Sequence, residues 1–218
     1  MKKTLCLVFV VCLLFSLITG AAYAAGDFDD VGENEWFFSG VKYVSTNEIL
    51  QGVTDTVFEP NAAIDRSTFI AALYKYSVMK GYDVSVWLDT NILSYEDAFD
   101  IKEGSFEAFQ WACGSGLIPE PDAGATSLGI HEIMSREQLV IFLYDYAVLY
   151  GIDPTAGENT NILSYTDVSD MSQEQGYEAF QWACGAGIIV GTSASTIDPS
   201  GSLTRAQLAT VLMRLSTK

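Results

Sequence analysis

One phrase occurs three times along this chain and constrains its fold more than any other feature: Asp65-Arg66-Ser67-Thr68, Ser135-Arg136-Glu137-Gln138 and Thr204-Arg205-Ala206-Gln207. By subtraction of their numbers, the arginines stand 70 and then 69 residues apart. Other stretches keep the same interval. Thr90-Asn91-Ile92-Leu93-Ser94-Tyr95 returns unchanged as Thr160-Asn161-Ile162-Leu163-Ser164-Tyr165, and Phe28, Tyr95 and Tyr165 each stand two residues before Asp30, Asp97 and Asp167. A period of this kind marks a repeated supersecondary unit that cannot bury its apolar face alone and must stack on its copies. We read three units, 27–80, 94–150 and 164–218, joined by ordered connectors over 81–93 and 151–163.

Each unit reads as helix, loop, helix, which makes the chain all-α. Asp65, Ser135 and Thr204 are N-cap residues, and Gln138 and Gln207 complete capping boxes. Apolar residues follow at helical spacing, for example Phe69, Ile70 and Leu73, or Leu208, Val211 and Leu212. The first helix of each unit is expected over roughly Glu35–Ser45, Phe106–Cys113 and Gly176–Cys184, with Gly114 and Gly185 as terminators. Between the helices runs a loop bearing Gly52 or Gly191, where a backbone or a ligand can approach closely. The middle unit departs from this with Ile118-Pro119-Glu120-Pro121.

Four arginines occur in the chain, and three of them occupy the first turn of a helix. A cation there opposes the helix macrodipole at a cost of about a few tenths of a kcal/mol. Two explanations stand side by side. An anionic ligand meets the guanidinium and the free N–H groups of the helix start, or the arginine pairs structurally with Asp30, Asp97 or Asp167.

Residues 1–24 read as a secretory signal: Lys2 and Lys3, an apolar run from Leu5 to Ile18, then Ala22-Tyr23-Ala24 as a cleavage site. The run is short for a membrane span. Without Lys2 and Lys3 the chain has 9 basic residues against 28 acidic ones, a net charge of −19. That balance excludes nucleic-acid binding by a broad basic surface. Cys113 and Cys184 occupy equivalent places; an exported chain permits a bridge between them, although small apolar neighbours favour buried thiols. No zinc-ligand cluster, EF-hand loop, catalytic elbow or P-loop occurs, and His131 is the only histidine, so no cofactor, metal or catalytic residue is expected. Trp111 and Trp182 read as core, Trp87 as cover for a seam, and Trp36 as partly exposed at a helix start.

On these residues the chain resembles a triplet of S-layer homology (SLH) modules. The resemblance is carried in the first unit by Phe28-x-Asp30-Val31, Trp36, Ile49-Leu50-x-Gly52, Phe58-x-Pro60 and Asp65-Arg66. In the third unit Tyr165-x-Asp167-Val168, Gly187-Ile188-Ile189-x-Gly191, Ile197-x-Pro199 and Thr204-Arg205-Ala206 carry it. It implies a pseudo-threefold, three-pronged helical assembly of a secreted, wall- or S-layer-associated, non-catalytic protein. The implied partner is a secondary cell-wall polysaccharide with a pyruvate ketal, held non-covalently in grooves between modules, with S-layer or other surface proteins as further partners. The implied ligand-binding residues are Arg66, Arg136, Arg205, Trp36, Gly52 and Gly191. Gly104 and Gln175 stand at the tryptophan's place in units two and three, so one or two working grooves are expected. The alternative is a degenerate triplet serving as a structural or protein-interaction scaffold.

Overall fold

We describe residues 27–118, 126–172 and 174–218 in a computed structural model of the chain. The signal sequence over 1–24 and the Pro119-Glu120-Pro121 departure lie outside the described residues. Among the described residues six α-helices carry the fold: α1 (Phe38–Thr46), α2 (Arg66–Met79), α3 (Phe106–Gly114), α4 (Arg136–Tyr150), α5 (Gly176–Gly185) and α6 (Arg205–Leu215). No strand is formed among the described residues; pairing of extended backbone is limited to isolated bridges, Ala63 with Thr204, Asp65 with Ile133 and Ser135 with Ser202.

The capping read from sequence is observed. Asp65, Ser135 and Thr204 accept the N–H of the residue three places on, and Gln138 and Gln207 return the bond to the cap backbone. The first helix of the chain begins at Phe38 rather than near Glu35, because Gly32 to Glu35 form a turn that leads into it. Gly114 and Gly185 are not the terminators; Gly116 and Gly187 adopt the positive φ. Gly114 and Gly185 have a different reason to lack a side chain. A Cβ on Gly114 would lie 2.2 Å from Thr90 Oγ1, and one on Gly185 2.4 Å from Gly157 Cα, so each lets a connector cross the helix end.

What closes the molecule is a ring of main-chain hydrogen bonds just before the inner helices. Ile64 N donates to Leu203 O at 3.0 Å, Leu203 N to Met134 O at 2.8 Å, and Met134 N to Ile64 O at 3.0 Å. All three side chains are buried. These residues each precede a repeated arginine by two places, so the ring relates the three helix pairs cyclically. The outer helices follow the same order: α3 packs on α2, α5 on α4, and α1 on α6. The third contact is tight, since a Cβ on Gly40 would stand 2.7 Å from the Thr210 backbone. Trp111 and Trp182 are buried, as expected. The Trp111 indole N–H donates to Tyr150 Oη at 2.9 Å and that of Trp182 to Asp153 O at 3.0 Å. Burying such large rings supplies much of the core's apolar area. Trp87 lies in a 3-10 turn (Ser85–Trp87) and packs over Gly114, covering a seam. Cys113 and Cys184 are free thiols; Cys113 is buried and Cys184 partly so. Burial pushes the Cys113 thiol up to about 11.

Candidate functional site

Each repeated arginine reaches into the loop of the next unit. Arg136 Nε donates to Ile197 O at 3.0 Å and its Nη2 to Val190 O at 3.0 Å. Arg205 Nε donates to Phe58 O at 2.6 Å and its Nη2 to Gln51 O at 2.5 Å, with the guanidinium 4.6 Å from the Phe58 ring centroid. Arg66 Nη1 donates to Leu128 O at 3.2 Å, and its Nη2 pairs with Glu132 Oε2 at 2.6 Å. Arg136 and Arg205 are almost wholly buried. Burial lowers the pKa of both, yet a guanidinium stays protonated at neutral pH.

Two expectations are corrected here. The amides of the helix starts are not free for an anion. Arg66 N and Ser67 N donate to Glu132 O and Ile130 O, Arg136 N and Glu137 N to Gly201 O and Pro199 O, and Arg205 N and Ala206 N to Ala62 O and Pro60 O. Nor do the arginines form contact ion pairs with the repeated aspartates. Asp30 accepts the N–H groups of Phe58 and Glu59, Asp97 those of Leu128 and Ile130, and Asp167 those of Ile197 and Asp198. Aspartate and arginine therefore grip the two ends of one loop residue. Neither Gly52 nor Gly191 has positive φ; each permits the close backbone approach expected of it. A Cβ on Gly52 would stand 2.4 Å from Thr54 O and 2.5 Å from Phe28 Cε1, and one on Gly191 2.6 Å from Tyr165 Cε1 and 2.7 Å from Ser193 O, so both positions make room for loop backbone and for the unit's own aromatic ring.

Among the described residues, two concavities lie between units and a wider one lies within the first unit. The Trp36 groove, of about 300 Å³, is lined by Trp36, Arg136, Gly191, Gln207, Thr210 and Arg214, among others. It brings together three of the six candidate residues, one from each unit. Trp36 is 62% exposed, so its ring is available to a ligand. A second groove, of about 240 Å³, contains Arg66, Gln138, Asp145 and Gln175, with Gln175 in the tryptophan's place. A wider cleft, of about 680 Å³, is lined by Glu48, Gln51, Tyr74 and Lys75. Arg205 reaches its edge through Gln51 O.

Sequence reasoning missed Arg214, although the period contains the signal. It stands nine residues after Arg205, which is two and a half helical turns, so the two arginines face opposite sides of α6. Gln207, Thr210 and Arg214 follow at helical spacing and line one groove together. Arg214 Nη1 donates to Ile188 O at 3.3 Å, a carbonyl contact that leaves its positive charge unneutralised. His131 is exposed and 3.8 Å from Asp100 Oδ2 on the surface. Among the described residues no group of three or more His, Cys, Asp or Glu side chains is placed to hold a metal. No described helix is long and apolar enough to cross a membrane.

The ring of helix pairs leaves at its joints one groove lined by Arg136 and Arg214 and another lined by Arg66 and Asp145. Residues 27–70 and 164–209 match the S-layer homology domain. The chain thus carries two such segments, and the domain is a non-catalytic cell-wall anchoring module that marks surface or S-layer-associated proteins. The chain is similar to an exoglucanase of Acetivibrio thermocellus, 24% identical over 210 residues, and to an amylopullulanase of Thermoanaerobacterium thermosulfurigenes, 25% identical over 213. Both matches cover 94% of this chain but 18% and 10% of the relatives, so the chain spans only a small part of their length.

Proposed function

We propose that the chain is an exported protein that binds an acidic cell-wall glycan in the Trp36 groove and thereby attaches non-covalently to the wall. One observation carries this reading: Arg136 and Arg214, from two units, border the same groove as an exposed indole from the third. A carboxylate, such as the pyruvate ketal of a wall polysaccharide, matches guanidinium geometry and charge, and the Trp36 ring supplies a flat apolar face for the sugar. The middle unit, 94–150, acts as a third SLH module. Its Asp97, Leu128 and Arg66 contacts repeat the pattern of the two matched segments.

A second reading is favoured by Arg66 and Arg205. Arg66 spends its charge on Glu132, and Arg205 binds two carbonyls of the first loop. Arg136 makes the same clasp with Ile197 O and Val190 O while also lining the Trp36 groove, so on this reading all three arginines act as structural clasps. The test uses Trp36→Ala, because Trp36 is exposed and its loss leaves the buried core intact. Purified wall sacculi should retain the wild-type chain and lose Trp36→Ala, with affinity down about tenfold, equivalent to about 1.4 kcal/mol. Wild-type protein that fails to bind sacculi carrying the wall polymer would remove the glycan reading and leave the scaffold.

A further inference from the structure

Each inner helix faces two concavities. Its first residue, an arginine, reaches one loop; the residue nine places later, half a turn further round, meets the neighbouring groove. In this way α6 offers Arg214 to the Trp36 groove, α4 offers Asp145 to the Gln175 groove, and α2 offers Lys75 to the wide cleft. The two narrower grooves otherwise correspond: Arg66 answers Arg136, Gln138 answers Gln207, Ile141 answers Thr210 and Phe142 answers Val211. At the ninth position the charge changes sign.

We propose that this position is the charge selector of the grooves: Arg214 admits a carboxylate-bearing sugar beside Arg136, whereas Asp145 turns such a sugar away from the Gln175 groove. The proposal rests on the glycan reading above. In the Gln175 groove the charge of Arg66 is already matched by Glu132 at 2.6 Å, so Asp145 leaves an excess of negative charge. An anionic ligand would meet like charge there, a recognised route to specificity. Burial also pushes the Asp145 carboxyl above its ordinary range, an environment that already resists negative charge. The Gln175 groove, with Gln138 and Gln175 as donors and acceptors, suits uncharged sugars of the same polymer.

The test is calorimetric titration of the full chain with a synthetic methyl hexoside bearing a pyruvate ketal, and with its ketal-free twin. Asp145→Arg should add one equivalent of the ketal-bearing glycoside bound, since the corresponding position on α6 already carries arginine. Arg214→Asp should remove one equivalent, its affinity falling about tenfold or more. Asp145→Arg combined with Glu132→Gln frees Arg66 and should bind the added equivalent more tightly. Affinity for the ketal-free glycoside should move less than about twofold in any of them. An unchanged number of equivalents in both Asp145→Arg proteins, or undiminished binding by Arg214→Asp, overturns the selector while leaving the glycan reading in place. Wild-type chain that binds neither glycoside overturns both.

Discussion

Asp167 and Arg136 hold opposite ends of Ile197: the carboxylate accepts its N–H at 2.9 Å, and the guanidinium Nε donates to its carbonyl at 3.0 Å. Asp30 and Arg205 hold Phe58 in the same way, and Asp97 and Arg66 hold Leu128. In each case the aspartate belongs to the loop's own unit and the arginine to the preceding one. The clasp therefore joins units, and it accounts for a cation at an unfavourable helix start: hydrogen bonds to otherwise buried carbonyls outweigh about a few tenths of a kcal/mol of dipole repulsion.

Removing a clasp should cost stability in proportion to its burial. Arg205→Ala strands the carbonyls of Phe58 and Gln51 and should lower unfolding free energy by about 2–3 kcal/mol. Arg66→Ala, whose partner Glu132 is largely exposed, should cost about 1 kcal/mol. Urea titrations of the two variants compare them. Equal losses would show that the clasps do not differ as their burial indicates.

The aspartates predict an acid limb. Burial by itself would raise the Asp97 carboxyl, but the Leu128 N–H, the Ser127 hydroxyl and the Ile130 N–H together outweigh it and hold the group below its ordinary value. Asp167 is lowered in the same sense by the Ile197 and Asp198 amides against the opposing effect of burial. A depressed folded-state pKa contributes stability that is present above the unfolded value of 3.8 and is lost as pH falls through the folded one. Melting temperature should therefore drop steeply below about pH 4, and Asp97→Asn and Asp167→Asn should start lower at neutral pH and fall less.

The connector crossings are tested by adding one methyl group. Gly185→Ala places its Cβ against the Gly157 backbone and the Ala156 carbonyl and should destabilise by about 1–3 kcal/mol. Gly114→Ala meets the Thr90 hydroxyl, which can rotate away, and Trp87 Cβ at 2.9 Å, which moves only with its backbone, and should destabilise in the same range. Gly116→Ala meets no atom within 4 Å, so its penalty is confined to the positive φ of 80°. Thermal unfolding of the three proteins distinguishes steric clash from strain.

Cys113, with its thiol pushed up to about 11 by burial, should resist alkylation in the native protein at pH near neutrality and react only on unfolding. Mass-spectrometric labelling with and without urea measures this. Prompt labelling of Cys113 in the folded chain would show that the α3 seam opens.

The helix pairs, their caps, the buried tryptophans and the exposure of Trp36 were all legible in the residues. Each depends on interactions within one turn or one face of a helix, and these recur wherever the local sequence recurs. The groove was legible in part. The residue pattern marks Trp36, Arg136 and Gly191 as candidates, but nothing in their spacing places them in one groove, and Arg214 reads as an ordinary residue of the last helical turn. The fate of the helix-start amides was misread. Their acceptors are carbonyls of another unit, more than sixty residues away in every case, and no local pattern specifies them.

The linear order of residues settled an all-α repeat with an arginine at the head of each inner helix, because capping and helical spacing act over three or four residues. The folded molecule settled that all three repeated arginines clasp the following unit, that Arg136 also lines the Trp36 groove and Arg66 the Gln175 groove, and that Arg214 and Asp145 stand at corresponding places in those two grooves. Those outcomes come from closing three units into a ring, where hydrogen bonds and charges meet across the joints.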